Sequence, residues 1–187
     1  MQHVLTLNIV IVFKGFSNLL ICGGEVPDND TCEVINLASS ALTCKNPPKF
    51  PATVSGAIGG LGFKRNPIIC GGYQKIVHSN KCYSLENNGW VSSASMNSVR
   101  VYAAAAQLQD GKLLVTGGID GSYSRLNSAE MLTEEGWESN IPSLPVTIAD
   151  HCMVTVNSTT VTVIGGLQKG DYSEKNIFLH LWRRKLD

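Results

Sequence analysis

The sequence predicts an all-β chain, an array of about four blades of four antiparallel strands each, incomplete as a ring. Three observations carry this. A Gly-Gly pair closes a short apolar run four times, at Gly23-Gly24, Gly71-Gly72, Gly117-Gly118 and Gly165-Gly166, with intervals of 48, 46 and 48 residues. A period in the forties built on short strands is the mark of a blade array. A tryptophan also recurs at nearly constant offset: Trp90 follows Gly72 by 18 residues and Trp137 follows Gly118 by 19.

The first repeat spans about residues 6–50. Its inner strand is Thr6–Phe13, part of the apolar run Val4–Phe13. That run also has the length of a signal-peptide core. No basic segment precedes it, however, and the cleavage pattern after it is poor, with only Gly15 and Ser17 as small residues. A shift of 48 lays Asn18–Gly24 on Asn66–Gly72, and this register favours the strand. The outer segment Leu42–Phe50 carries Pro47-Pro48, which suits an edge.

The second repeat, residues 54–96, shows the plan most clearly. Val54–Phe63 is small and apolar, fit for a crowded inner strand. Pro67–Cys70 is the second strand, Tyr73–Lys81 a polar loop and Cys82–Glu86 the third strand. Asn87-Asn88-Gly89 is a hairpin turn, because Asn and Gly tolerate positive φ, and Trp90–Met96 ends the blade. In the third repeat, residues 101–145, Val101–Gln109 is rich in alanine but short and runs into Asp110-Gly111, so it reads as strand. Lys112–Thr116, the loop Ile119–Asn127 and the strand Ser128–Thr133 follow. The fourth repeat, residues 150–187, offers His151–Asn157, Thr160–Ile164 and Asn176–Leu181.

Two glycines at a strand end let the backbone turn with positive φ and let a neighbour approach without a Cβ in the way. The expected neighbour is a tryptophan, Trp90 or Trp137, since an indole buries some 150–250 Å². The pattern of apolar run, Gly-Gly, then Tyr83 and Trp90 resembles the kelch repeat, over essentially the whole chain. The resemblance implies a β-propeller that serves as a protein-binding platform. Glu130 departs from it in the place of Tyr83, as do Leu42 and Thr43 where a tryptophan would stand in the first repeat. Arg184 holds that place in the fourth, beside Trp182.

Six cysteines sharpen the picture. Cys22 precedes the first glycine pair and Cys32 opens the next strand; Cys70 and Cys82 repeat the arrangement. In the third repeat both positions change together, with Thr116 before the glycines. Paired presence and absence predicts cross-strand disulfides Cys22–Cys32 and Cys70–Cys82, hence an oxidising compartment and a secreted protein. Cys44 and Cys152 are left over. Asn29-Asp30-Thr31 and Asn157-Ser158-Thr159 fit the N-glycosylation acceptor pattern. The rival location is the cytoplasm, as a kelch substrate adaptor.

Composition narrows the function classes. The chain is 43% hydrophobic and 16% charged, with fifteen basic and fifteen acidic residues and no basic stripe. Nucleic acid is therefore not an expected partner, and no apolar run reaches the ~18 residues of a membrane span. Cysteine intervals do not match zinc sites, so no metal and no cofactor is expected. Enzyme readings are weak. A copper radical oxidase of the galactose-oxidase kind would need clustered tyrosines, histidines and a Tyr–Cys cross-link, whereas His3, His78, His151 and His180 lie in different segments. His151 follows Asp150 without a placed nucleophile, and Gly59-Gly60-Leu61-Gly62 lacks the spacing of a dinucleotide loop.

Non-catalytic protein–protein interaction is the expected activity. An up-and-down meander puts the post-glycine loops and the inter-blade links on one face. Those loops are long and dissimilar: Glu25–Thr31, Tyr73–Lys81, Ile119–Asn127 and Leu167–Lys175. Varied loops on a rigid scaffold carry recognition. Within them Tyr73, His78, Asp120, Tyr123, Arg125 and Tyr172 have the chemistry of binding hot spots.

Overall fold

A computed structural model describes residues 9–12, 18–22, 30–36, 44–45, 47–75, 77–157, 160–168 and 179–183. Gly23, Gly24 and Tyr172 lie outside these. The described chain is all β, with eighteen strands. The first sheet runs β1 (Ile9–Val12), β2 (Asn18–Cys22), β3 (Cys32–Asn36), β4 (Cys44–Lys45). The strand β5 (Val54–Ser55) leads into the second sheet, whose members are β6 (Ile58–Leu61) and β7 (Pro67–Cys70). After the short pair β8 (Tyr73–Gln74) and β9 (Val77–His78) it continues with β10 (Cys82–Glu86) and β11 (Gly89–Ser93). The third sheet is β12 (Ala104–Gln107), β13 (Leu113–Thr116), β14 (Ala129–Thr133), β15 (Gly136–Ile141). The fourth is β16 (Ile148–Thr155), β17 (Thr160–Gln168), β18 (Leu179–Arg183). Every pairing within these sheets is antiparallel and follows chain order, so each is a meander.

Two disulfides join strands two and three of the first two sheets. Cys22 faces Cys32 and Cys70 faces Cys82 in register, with Cα atoms 4.2 and 4.1 Å apart. That is the close spacing of a non-hydrogen-bonded pair, the geometry a cross-strand bridge needs. The matching pairs in the other sheets are Thr116 with Ala129 and Ile164 with Leu179. The bridge is thus kept or lost as a unit. Cys152 is a free, exposed cysteine.

Strand alternation gives each inner sheet two apolar faces, and sheets pack face on face. Leu20, Cys22 and Cys32 of the first sheet meet Leu61, Ile69 and Tyr83 of the second. Ile58, Ile68 and Cys70 on the reverse of the second meet Leu113, Val115 and Leu132 of the third. Leu114 and Met131, on the reverse of the third, meet Val161 and Val163 of the fourth.

Gly71-Gly72 and Gly117-Gly118 sit at these seams, and the main-chain group received there is not the expected aromatic ring. Gly71 and Gly72 have φ of 71° and 74°. A Cβ on Gly71 would stand 2.5 Å from the carbonyl oxygen of Arg100, and the Gly72 N–H donates to that same oxygen at 2.8 Å. In the third sheet Gly117 and Gly118 receive the carbonyl of Ile148 in the same way, at 2.5 and 2.8 Å. The glycines make room for backbone, because the link to the next sheet must find a main-chain donor as it turns inward.

The tryptophans act elsewhere on the same seams. The Trp90 indole N–H donates to the Pro48 carbonyl at 3.0 Å, and Trp137 donates to Ala94 at 2.9 Å. Each indole therefore fastens the link that enters its own sheet from the one before.

Several boundaries differ from the sequence reading: Val101–Gln109 narrows to Ala104–Gln107, with Val101 in an isolated bridge, and His151–Asn157 is Ile148–Thr155. Val54–Phe63 is broken at Gly56, whose φ is +60°, so only Ile58–Leu61 enters the second sheet. Tyr73–Lys81 is not plain loop: β8 and β9 pair with β5 as a three-stranded sheet of their own. The strand ending at Ile164 continues to Gln168 through the glycine pair, because β16 pairs with it on both sides of Gly166, His151 with Gly165 and Ala149 with Leu167.

Candidate functional site

The described link residues and the loops after Gly72 and Gly118 meet at one end of the inner strands, as the meander requires. Three equivalent positions there have left-handed backbone: Gly56, between β5 and β6, at φ +60°, Tyr102, before β12, at +55° and Asp150, within β16, at +54°. Their main chains are joined, with the Tyr102 N–H donating to Gly56 at 2.8 Å and the Asp150 N–H to Tyr102 at 2.9 Å. The left-handed region disfavours tyrosine and aspartate by roughly 1–3 kcal/mol, a strain that the surrounding packing must hold. These hydrogen bonds hold it.

Four aromatic side chains form a row across this end. Tyr102 meets Tyr73 with ring centroids 5.9 Å apart, Tyr73 meets His78 at 4.7 Å, and His78 meets Tyr123 at 4.6 Å. Tyr73 and His78 come from β8 and β9; Tyr123 comes from the loop after Gly118. Two loops from adjacent repeats are thereby brought together. Tyr123, at φ +61°, leaves 75% of its surface in solvent. His78 Nε2 is buried and has no hydrogen-bond partner. Burial raises the Tyr73 pKa, and Tyr123 raises it further.

Asp120 shapes the loop that carries Tyr123. Its Oδ1 accepts from the N–H groups of Ser122 at 2.8 Å and Ser124 at 2.9 Å, an Asx turn. Arg125 pairs in an isolated bridge with Ile119, which in turn bridges Val101. Asp150 is exposed as a residue, yet enough protein surrounds its carboxyl for burial to raise its pKa, while the charge of Arg125 draws it down.

Of the six residues expected at this face, five are described, and Tyr73, His78 and Tyr123 form one cluster. Asp120 and Arg125 belong to the Tyr123 loop. Tyr102 falls within the stretch Val101–Gln109 that the sequence reads as strand, and Asp150 enters that reading only at the start of the fourth repeat, beside His151. Aligning the repeats would have shown Gly56, Tyr102 and Asp150 at matching positions, but not their shared conformation.

A cavity of about 460 Å³ opens at the opposite end of the inner strands, lined by Leu61, Phe63, Gln107, Leu108 and Thr155 among others. Gln107 and Thr155 there are hydrogen-bonded within the lining. Gln107 Oε1 accepts from the Leu61 N–H at 2.9 Å, Gln107 Nε2 donates to Gly111 at 2.7 Å, and Thr155 donates to Gln107 at 2.7 Å. This is a framework holding three inner strands in register.

No family model matches the chain, and no curated protein matches it. It is similar to the solved structure of YjhT, with a TM-score of 0.71 at 11% identity. The match covers 97% of this chain and 66% of that one, so the chain spans about two thirds of that structure's length. A likeness at this identity is one of fold. Among the described residues no helix is long and apolar enough to cross a membrane, and no three His, Cys, Asp or Glu side chains converge as a metal site.

Proposed function

We propose that the chain is a kelch-type β-propeller segment of about four blades whose post-glycine face binds another protein without catalysing a reaction. The observation that carries this reading is the aromatic row Tyr102–Tyr73–His78–Tyr123, which joins two loops and ends on an exposed ring. Tyrosines on a rigid frame offer large contact area at low entropic cost, which is why they recur at binding hot spots. The two cystines support an oxidising, extracellular setting.

A photo-reactive phenylalanine analogue at position 123, compared with one at Asn88 on a tight turn, tests the choice of face. The expected result is covalent capture of one discrete protein from the native medium by position 123, and its loss when Tyr73→Ala is added. Capture only from position 88 refutes the reading. An oxidase reading would require the cluster to hold copper; copper that remains after dialysis and leaves on Tyr123→Phe would move the assignment there.

A further inference from the structure

We infer that the cavity where the second and third sheets meet, at the end opposite the aromatic row, binds a small carboxylate with an apolar body. This activity is independent of the protein-binding face proposed above. One hairpin, which departs from the repeat plan twice, carries the argument. The hairpins that follow the inner strands close alike: the Gly62 N–H donates to the Asn66 carbonyl at 2.8 Å, Leu108 to Lys112 at 2.8 Å and Val156 to Thr160 at 2.9 Å. Strand register agrees, since Leu61 pairs with Pro67 as Gln107 does with Leu113 and Thr155 with Val161. Gly62, Leu108 and Val156 are therefore equivalent positions.

The first departure makes the space. Leu108 is 2% exposed and lies with Val161 in the apolar seam between the third and fourth sheets. Its counterpart Gly62 has no side chain to set beside Leu113, the counterpart of Val161. The cavity of about 460 Å³ is lined by both Gly62 and Leu113. Small-molecule pockets span roughly 300–1,000 Å³, so this hole in the seam is large enough to be one. Leu61, Leu113 and the ring of Phe63, which is 48% exposed, supply its apolar surface.

The second departure supplies the charge. The Arg65 N–H donates to the Gly62 carbonyl at 2.8 Å as the Gly111 N–H does to Leu108 at 3.1 Å, so the two residues hold the same station of the turn. Both are left-handed there, at φ +60° and +88°. Glycine adopts that conformation freely, whereas arginine is strained in it. Strained backbone of this kind clusters at ligand sites. Arg65 lines the cavity, and so does one carboxylate, Asp110. Asp110 accepts from the Lys112 N–H at 3.2 Å and lies 3.7 Å from Lys112 Nζ, so its charge is offset within its own turn. The guanidinium of Arg65 is the cation of the lining, and its planar fork suits a carboxylate.

Isothermal titration of the full chain with naphthoate, and with its uncharged amide, tests this. Naphthoate should bind, and the amide should bind about tenfold more weakly. Gly62→Leu supplies the side chain that the third repeat has at this position. Gly62 is outside the left-handed region, and a Cβ there would meet only the Asn66 carbonyl oxygen at 3.6 Å and Ile68 Cβ at 3.9 Å. The variant should abolish naphthoate binding while the melting temperature holds or rises. Arg65→Gly restores the glycine of the turn; it should weaken naphthoate about tenfold, leave the amide unchanged and cost no melting temperature. Should Gly62→Leu fail to fold, Gly62→Ala must lower the naphthoate affinity in its place. No binding of naphthoate at about 1 mM overturns the proposal. So does equal affinity for acid and amide, or binding that survives Gly62→Leu.

Discussion

The first–second and second–third seams share one backbone plan and fill it with opposite chemistry. In the first, Tyr83 stands over Phe50 with centroids 5.2 Å apart, and Phe50 meets Trp90 at 5.0 Å. In the second, Met96 takes the place of Phe50 and Glu130 that of Tyr83. The Glu130 carboxylate is fully buried and accepts from the N–H groups of Asn97 at 2.6 Å and Ser98 at 3.0 Å, and from Arg100 Nε at 3.0 Å. Arg100, 1% exposed, also donates to the carbonyls of Gly117 at 2.8 Å and Ser128 at 3.0 Å. Burial pushes its pKa down and Glu130 holds it up. The plan itself does not change: the Phe50 N–H donates to Asp30 at 2.7 Å, Met96 to Asn80 at 2.9 Å and Leu144 to Asn127 at 2.8 Å. A seam is thus fixed by main-chain bonds, and either an aromatic trio or a saturated ion pair fills the space.

Breaking the ionic seam on one side should have the largest effect. Arg100→Met leaves a buried carboxylate without its cation, and chemical denaturation should report a loss of about 3–5 kcal/mol. The double variant Arg100→Met, Glu130→Leu should recover a good part of that loss. A double variant no better than the single would mean that the Asn97 and Ser98 N–H groups, not the ion pair, are what the site exists to satisfy.

The third–fourth seam sharpens the comparison through pH. His151 is 6% exposed, its Nε2 is 2.9 Å from Thr116 Oγ1, and its Nδ1 is buried without a hydrogen-bond partner. Burial lowers its pKa from 6.5 to about 4. Between those values the unfolded chain binds the proton and the folded one does not. Stability contributed by the neutral imidazole is present above the unfolded pKa and is lost as pH falls from 6.5 toward 4, on the order of 3 kcal/mol in all. Denaturant midpoints measured across this range should fall more steeply for the wild type than for His151→Gln. Parallel profiles would rule out the histidine as the source.

The smallest effect belongs to the aromatic seam. Trp90→Phe keeps most of the packing but removes the indole donor to Pro48, a change of about 0.5–1.5 kcal/mol in a denaturation experiment. A much larger loss would show that indole bulk, not its N–H, secures the link.

The sequence displayed the period, the meander and both cystines, because each follows from local spacing. Cys22–Cys32 and Cys70–Cys82 repeat one offset, and strand register turns that offset into proximity. It did not display what the glycines receive, since a carbonyl has no residue identity. Glu130 looked like a defect in the pattern for a related reason. Its partner Arg100 lies 30 residues away in a link, where nothing local marks it. At the candidate site, Tyr73, His78 and Tyr123 were visible as loop aromatics, but their convergence depends on how β8, β9 and the Tyr123 loop pack.

The chain of amide bonds from Asp150 through Tyr102 to Gly56 has one more consequence. Because the spacing of neighbouring repeats is metered there by main-chain atoms, the constraint on each station is its left-handed φ and the room for a Cβ, which at Gly56 would stand 2.8 Å from the Tyr102 ring. Glycine, tyrosine and aspartate occupy equivalent stations without disturbing the frame. A rim built this way can change what it displays to the outside, one repeat at a time, while its architecture stays put.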